Sequence, residues 1–560
     1  MKKVILAGLI ITAVLMTGCG KKDKNPYVTQ NVDIPAGKTG NIFLLKYNTS
    51  TNQIIRSGDT GYIVGAQSRN AADNKEVLND SFIPAKKFNN AAQQMNDNFM
   101  KAFKEAPKVT ARAANENPIV TGKSDTISSK TKFWSYTSKN NSSDFMDGKM
   151  TEINVTLKAG DVNNHDHHCY VFVDNKVTIE DSIIDALNKK FNDCYELETT
   201  IMGDPIYESY NSDYFVPCGD KIAIVISDLY GDGSKGDIMG YFYSGDLFNK
   251  KYLEDNKKYY GDVKSNECEV FYVDSYYLKE SPEEMYSTLV HEFNHMINFV
   301  VKTLNYLTKY PDKANSAPSC SSWFTEMLSM TTEDMFAKYL FGDDYYIHSP
   351  QARLPYFNLY HNYGFINWNN PYTVGTVKDG KYVYLTGTDY TTMYAFVNYA
   401  NTYAFGAYLA RNYGGINLIK EIAQSEYVDE TAITKALQKV YKSSSNFDSV
   451  VEDFPMCLIT TKEATSASDT FITLNREVKA SEDAELYFTK INLDTVYVEY
   501  EENKTKKKQT VTPRIYTQSD YSINPDLGPL GFSIHWAGKN ISSFTFAKRT
   551  TTPIDYWTIY

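Results

Sequence analysis

His291-Glu292-Phe293-Asn294-His295 sets two imidazoles four residues apart, with a carboxylate directly after the first. In a helix the two histidines stand roughly 40° apart, and Glu292 lies about 60° to 100° from each, on the same side. Two neutral nitrogen ligands and a base then converge on one region. A catalytic zinc ion requires that arrangement, because the metal needs ligands and the water beside it needs a proton acceptor. The chemistry would be hydrolysis at a polarised carbonyl. A pattern this short also arises by accident. The alternative is a buried helix carrying two satisfied core histidines.

The surrounding residues supply elements able to position the motif. Met285 to Val301 is an apolar, helix-compatible run. Ser281-Pro282-Glu283-Glu284 reads as its start, with a hydroxyl at the cap, proline at the first helical position and Glu284 at the capping-box position. Upstream, Glu269 to Val273 reads as a strand. Strand, loop and metal-bearing helix is the order found in zincin folds. A third ligand must come from farther along. The metzincin pattern puts glycine three residues and histidine six residues after His295, and those positions hold Asn298 and Val301. The best candidate lies in Trp323 to Met330, which Ser321 or Ser322 could cap. Glu326 shares the apolar face of Trp323 and Met330. A carboxylate buried there needs a cation, either a metal or an arginine.

H-E-F-N-H-M-I-N-F followed by W-F-T-E-M-L-S-M-T-T-E-D resembles the hyicolysin-type zinc metallopeptidases, within the gluzincins. The likeness extends upstream through Ser265 to Asp274 and downstream through Tyr399 to Gly415, covering roughly residues 130 to 450. It implies zinc (Zn2+) held by His291, His295 and Glu326, with Glu292 as general base. Thr325 stands where the family usually has asparagine, a position outside the ligand set. The resemblance also implies an oxyanion donor on a later helical part. Tyr399 and Tyr403, one turn apart, are the candidates, with His361 a further option. Glu333 and Asp334 could orient a ligand histidine.

The amino terminus bears on compartment. Lys2 and Lys3 precede a mostly apolar stretch from Val4 to Met16, then Thr17-Gly18-Cys19. This reads as a signal peptide too short to span a membrane as a mature helix. It resembles a bacterial lipoprotein signal, with Gly18 before Cys19 as the residue that receives the lipid, although Met16 replaces the preferred leucine. The expected location is the bacterial cell envelope, with the chain lipid-anchored and facing outside the cytoplasm. Six further cysteines, Cys169, Cys194, Cys218, Cys268, Cys320 and Cys457, form no C-x-x-C pair. A mixture of buried thiols and one or two disulfides is expected. The formal charge of −11 argues against a nucleic-acid partner. The basic run Lys504 to Lys508 reads as a solvated loop.

At 560 residues the chain has room for several domains. The expected organisation is α+β: a signal peptide (1–18), a polar tether (19–40), a β-rich N-terminal region (41–174), a zincin-like catalytic domain (175–460) and a separate C-terminal β domain (466–560). A helix is expected within 85–105. Ile153, Val155 and Leu157 alternate as a half-buried strand, Ile183 to Phe191 fall at helical spacing, and Ile222 to Ile226 fits a buried strand. His165 to Cys169 is dense in ligand types, but adjacent strand residues point to opposite faces, so a polar strand entry is the better reading. Asp228 to Asp237 lacks the spacing of a calcium loop and reads as a glycine-rich turn.

These readings converge on a zinc-dependent endopeptidase acting on protein or peptide substrates. No G-x-M-E-N segment is present to hold a free substrate amine, which disfavours an aminopeptidase. The rival is a catalytically silent surface binding or adhesion lipoprotein on the same scaffold. The intact Glu292 speaks against it, since a binding protein has no use for that base.

Overall fold

The computed structural model describes residues 3–5, 27–64, 91–106, 127–136, 150–160, 167–368 and 375–560, less 208–209, 220, 230, 232, 235–237, 379–380, 385–386, 467–468, 480–483, 503, 517–523 and 550. Cys19 and nearly all of the expected signal peptide lie outside the described residues, as do His165, Asp166 and part of the Asp228–Asp237 turn.

A six-stranded sheet carries the site. Its strands are β1 (Lys132–Ser135), β2 (Thr151–Ala159), β3 (Cys169–Asp174), β4 (Ile222–Ser227), β5 (Gly240–Phe242) and β6 (Val270–Asp274), in spatial order β1-β2-β3-β4-β6-β5. The three central strands β3, β4 and β6 are parallel and buried along their whole length. That burial explains why Ile222 to Ile226 is continuously apolar rather than alternating. Strand β2 keeps one wet face, with Ile153 and Val155 buried between exposed neighbours. Short β5 runs antiparallel to β6 and forms one edge of the sheet.

Five helices matter for the site: α1 (Ala91–Glu105), α2 (Asp181–Met202), α3 (Pro282–Phe299), α4 (Ser322–Phe341) and α5 (Gly387–Tyr413). Pro282 occupies the first turn of α3, where its missing N–H costs no hydrogen bond. Helix α3 packs between α2 and α4 and lies along β5 and β6. Phe293 anchors it to α2, stacked on Tyr195 at 5.2 Å and edge-on to Phe191 at 5.0 Å. Helix α4 is held between α3 and α5, so it is buried on nearly every side rather than along one stripe.

The ends of the chain pair with each other. Tyr27–Asp33, within the expected tether, pairs with Ser543–Arg549, which also pairs with Tyr62–Val64. Asn41–Asn48 lies between Phe532–Lys539 and Ile554–Ile559, and the described Lys3–Ile5 borders that last strand. The residues of 41–174 therefore divide between these end sheets and the central one. The strands of 466–560 do not stand apart. Backbone N–H and C=O groups left on a lone terminal strand need partners, and the opposite terminus supplies them. The basic run is not a loop: Thr505–Thr510 is an exposed strand paired with Tyr497–Glu502. None of the six cysteines after Cys19 is bridged. Cys169 and Cys320 instead donate to the side-chain oxygens of Asn188 and Asn298, and Cys218 donates to the Tyr207 carbonyl.

Candidate metal centre

Two neighbouring helices bring the ligand candidates together. His291 and His295 lie one turn apart on α3, and Glu326 sits in the first half of α4. One ligand atom from each of the three lies within 4.8 Å of the other two. The separations are 3.0 Å between the histidine Nε2 atoms, 3.2 Å from His291 Nε2 to Glu326 Oε2, and 3.6 Å from His295 Nε2 to Glu326 Oε1. Zinc bonds of about 2.0–2.1 Å at a tetrahedral angle put ligand atoms roughly 3.3–3.4 Å apart. The observed triangle brackets that spacing.

Hydrogen bonds fix which nitrogens face inward. His291 Nδ1 is 2.7 Å from Glu333 Oε1, a carboxylate oxygen that can only accept, so Nδ1 carries the hydrogen and Nε2 a lone pair. The Ser287 hydroxyl donates to the other Glu333 oxygen and holds that carboxylate in place. His295 Nδ1 donates to Ser329 Oγ at 3.3 Å, and Ser329 in turn donates to Asn294 Oδ1 at 3.2 Å. Two imidazole lone pairs and a carboxylate thus meet in a buried place, and Glu326 Oε2 has no hydrogen-bond donor. Acceptors gathered this way repel one another unless a cation lies between them, so these residues fit zinc.

With no ion between them, the groups of the site act on one another's protonation. Burial opposes charge on His291, but Glu326 and Glu333 outweigh it and hold its pKa well above the ordinary value. Burial lowers His295 to about 4, which keeps that imidazole neutral. Burial also works against an ionised Glu326, yet His295, His291 and Arg353 hold its pKa below the usual range. Glu292 is 7 % exposed, and burial lifts its pKa to about 8, opposed by His291 and by a bond from the Phe242 N–H. Its side chain lies against Gly240 of β5. A Cβ on Gly240 would fall 2.8 Å from both Thr288 Cγ2 and the Tyr272 carbonyl, and 3.1 Å from Glu292 Cγ. Glycine there is what lets the edge strand lie against the motif helix.

The other candidates separate. The Tyr399 hydroxyl reaches to 3.5 Å from Glu326 Oε1, its ring edge-on to Trp368 and beneath the Arg353 guanidinium at 4.9 Å. Tyr403 is one turn on and buried, and the charges acting on its hydroxyl are Asp334, Arg411 and Glu333 rather than Glu326. Asp334 does not orient a ligand histidine. It is bound by Arg411 at 2.7 and 3.2 Å, both side chains wholly buried. His361 makes its contacts away from the ligand candidates, stacked on Phe532 at 5.0 Å. Ser287, Ser329, Gly240 and Arg353 belong to the site and escaped the sequence reading. The one available signal was Ser287, four residues before His291 on the same helical face.

No family model matches the chain. Over 277 residues it is 26 % identical to a neutral metalloprotease, ShpI, from Staphylococcus hyicus. The match covers 47 % of this chain and 51 % of that relative, about half of each.

Proposed function

We propose that this chain is a zinc-dependent endopeptidase of gluzincin type, close in design to the hyicolysin-type enzymes. In this reading it is tethered to the bacterial envelope through a lipid on Cys19 and cuts proteins or peptides outside the cytoplasm. The observation that carries it is the convergence of His291, His295 and Glu326 donor atoms within 4.8 Å of one another, with Glu292 beside them. The half-length similarity to a metalloprotease supports the same reading.

His291, His295 and Glu326 would hold the ion. When bound, zinc supplies Lewis acidity toward water and the peptide carbonyl. The protein's residues do the rest. Glu292, buried beside the three donors, takes the proton from the attacking water and passes it to the leaving amine. Tyr399 donates its hydroxyl to the oxygen that gains charge as the carbonyl becomes tetrahedral. Glu333 and Ser329 keep the imidazoles turned inward.

Glu292→Gln tests the proposal. The variant keeps a near-isosteric side chain but has no base. It should retain zinc at the wild-type level while cleavage of an unfolded protein substrate drops at least a hundredfold. Cleavage at the wild-type rate would remove Glu292 from the mechanism. A zinc-replete wild type that cuts nothing in a broad peptide library would favour the binding-protein reading.

A further inference from the structure

Tyr399 is held by its ring more than by its hydroxyl. The hydroxyl reaches Glu326 Oε1 only at 3.5 Å, the outer limit of a hydrogen bond. Trp368 meets the ring edge-on at 4.8 Å, and the Arg353 guanidinium lies over it, 4.9 Å from the centroid. Trp368 is itself tied to α5, its indole N–H donating to Thr402 Oγ1 at 3.1 Å.

Arg353 comes from outside both ligand helices, at the end of a short helical turn, Pro350–Arg353. That turn is fixed to the supports of the site. Gln351 is buried and donates to Asp334 Oδ1 at 3.0 Å and to Thr489 Oγ1 at 2.7 Å. Asp334 is the carboxylate that Arg411 of α5 binds. Two residues beyond Gln351, the Arg353 side chain reaches α4 and donates to Met330 Sδ at 3.7 Å, one turn after Glu326. A turn braced on α4 and α5 alike thus delivers the guanidinium to Tyr399.

The charge bears on what Tyr399 has to do. A phenol that donates to an oxygen gaining negative charge gathers some of that charge itself. A neighbouring carboxylate opposes this, and a cation on the ring face favours it. Arginine suits the place, because its guanidinium stays ionised and its plane stacks on aromatic faces. We propose that Arg353 is the positioning residue of Tyr399: its guanidinium holds the phenol beside the metal centre and strengthens the hydroxyl as a donor to the oxyanion. The proposal rests on the peptidase reading with Tyr399 as the donor.

A double-mutant cycle in kcat tests it, run on the zinc-loaded full chain with one peptide that the wild type cleaves. Arg353→Met keeps the stem and removes the charge. It should lower kcat about tenfold, the scale of one cation–π contact, with KM, zinc content and melting temperature at wild-type values. Arg353→Lys should recover part of that loss, and it carries the test if Arg353→Met does not fold. In a Tyr399→Phe background, which keeps the ring and deletes the hydroxyl, neither substitution should lower kcat further. A purely structural role would persist there, because the ring contact persists. A further tenfold fall in that background, a rise in KM alone, a loss of zinc, or kcat at the wild-type value would overturn the proposal and leave the peptidase reading standing. Wild-type kcat in Tyr399→Phe alone would remove the donor and the proposal together. No cleavage by the zinc-loaded wild type would overturn the peptidase reading as well.

Discussion

Glu333 decides which nitrogen of His291 looks toward Glu326, because its carboxylate takes the Nδ1 hydrogen and leaves Nε2 free to ligate. Glu333→Gln keeps an acceptor but removes the charge that raises ligand basicity. Zinc affinity should weaken by about 10- to 100-fold, measured by competition with a chromophoric chelator. Unchanged affinity would reduce Glu333 to a packing residue. Tyr399→Phe should lower kcat by about a hundredfold with KM little altered, the signature of a donor used mainly in the transition state. A rise in KM alone would move Tyr399 to substrate binding. The candidate ligands could be picked out because their chemistry shows in one dimension: two histidines four apart, and a carboxylate on an otherwise apolar face. Their supports were not. Glu333 and Asp334 are consecutive, yet one turns to α3 and the other to Arg411 on α5. Tyr399 and Tyr403 are the same residue type one turn apart, and only packing shows which of them faces Glu326.

Among the elements, α3 and the parallel strands announced themselves through a proline start and unbroken apolar runs. Strand β5 did not, because three residues carry no usable period. Its importance lies in Gly240, whose missing side chain allows contact with Thr288 and Glu292. The strand Asn41–Asn48 hides another feature that patterning misses. Lys46 is fully buried, its ammonium donating to the Gly61 carbonyl at 2.7 Å and to Asn524 at 3.1 Å. Burial lowers its pKa from 10.5 to about 7. Between those two values the unfolded chain binds a proton that the folded chain does not, so this residue makes stability rise with pH. The slope approaches ~1.4 kcal/mol per pH unit. Below pH 7 the lysine is charged in both states and its cost is constant. Lys46→Met should flatten the rise in stability seen in urea melts between pH 7 and 9.5. Identical slopes for the two proteins would refute this assignment.

At the scale of the whole molecule, the expected succession of tether, β region, catalytic body and separate β domain gives way to a chain whose two ends close on each other. Asn41–Asn48 takes partners about 500 residues away, and nothing local to it names them. The later part of the chain also buttresses the site from behind: Arg411, which holds Asp334 under α4, donates its Nε hydrogen to the Thr489 carbonyl. In the proposed reading, the architecture serves two helices that must stay within one ion's reach of each other. The most direct measurement is cleavage of an unfolded protein by the purified chain, first stripped with a chelator and then given a single equivalent of zinc. The expected result is silence after stripping and restored cutting at one zinc per chain. Undiminished cutting by the metal-free protein, or none by a folded, zinc-saturated one, would contradict the assignment.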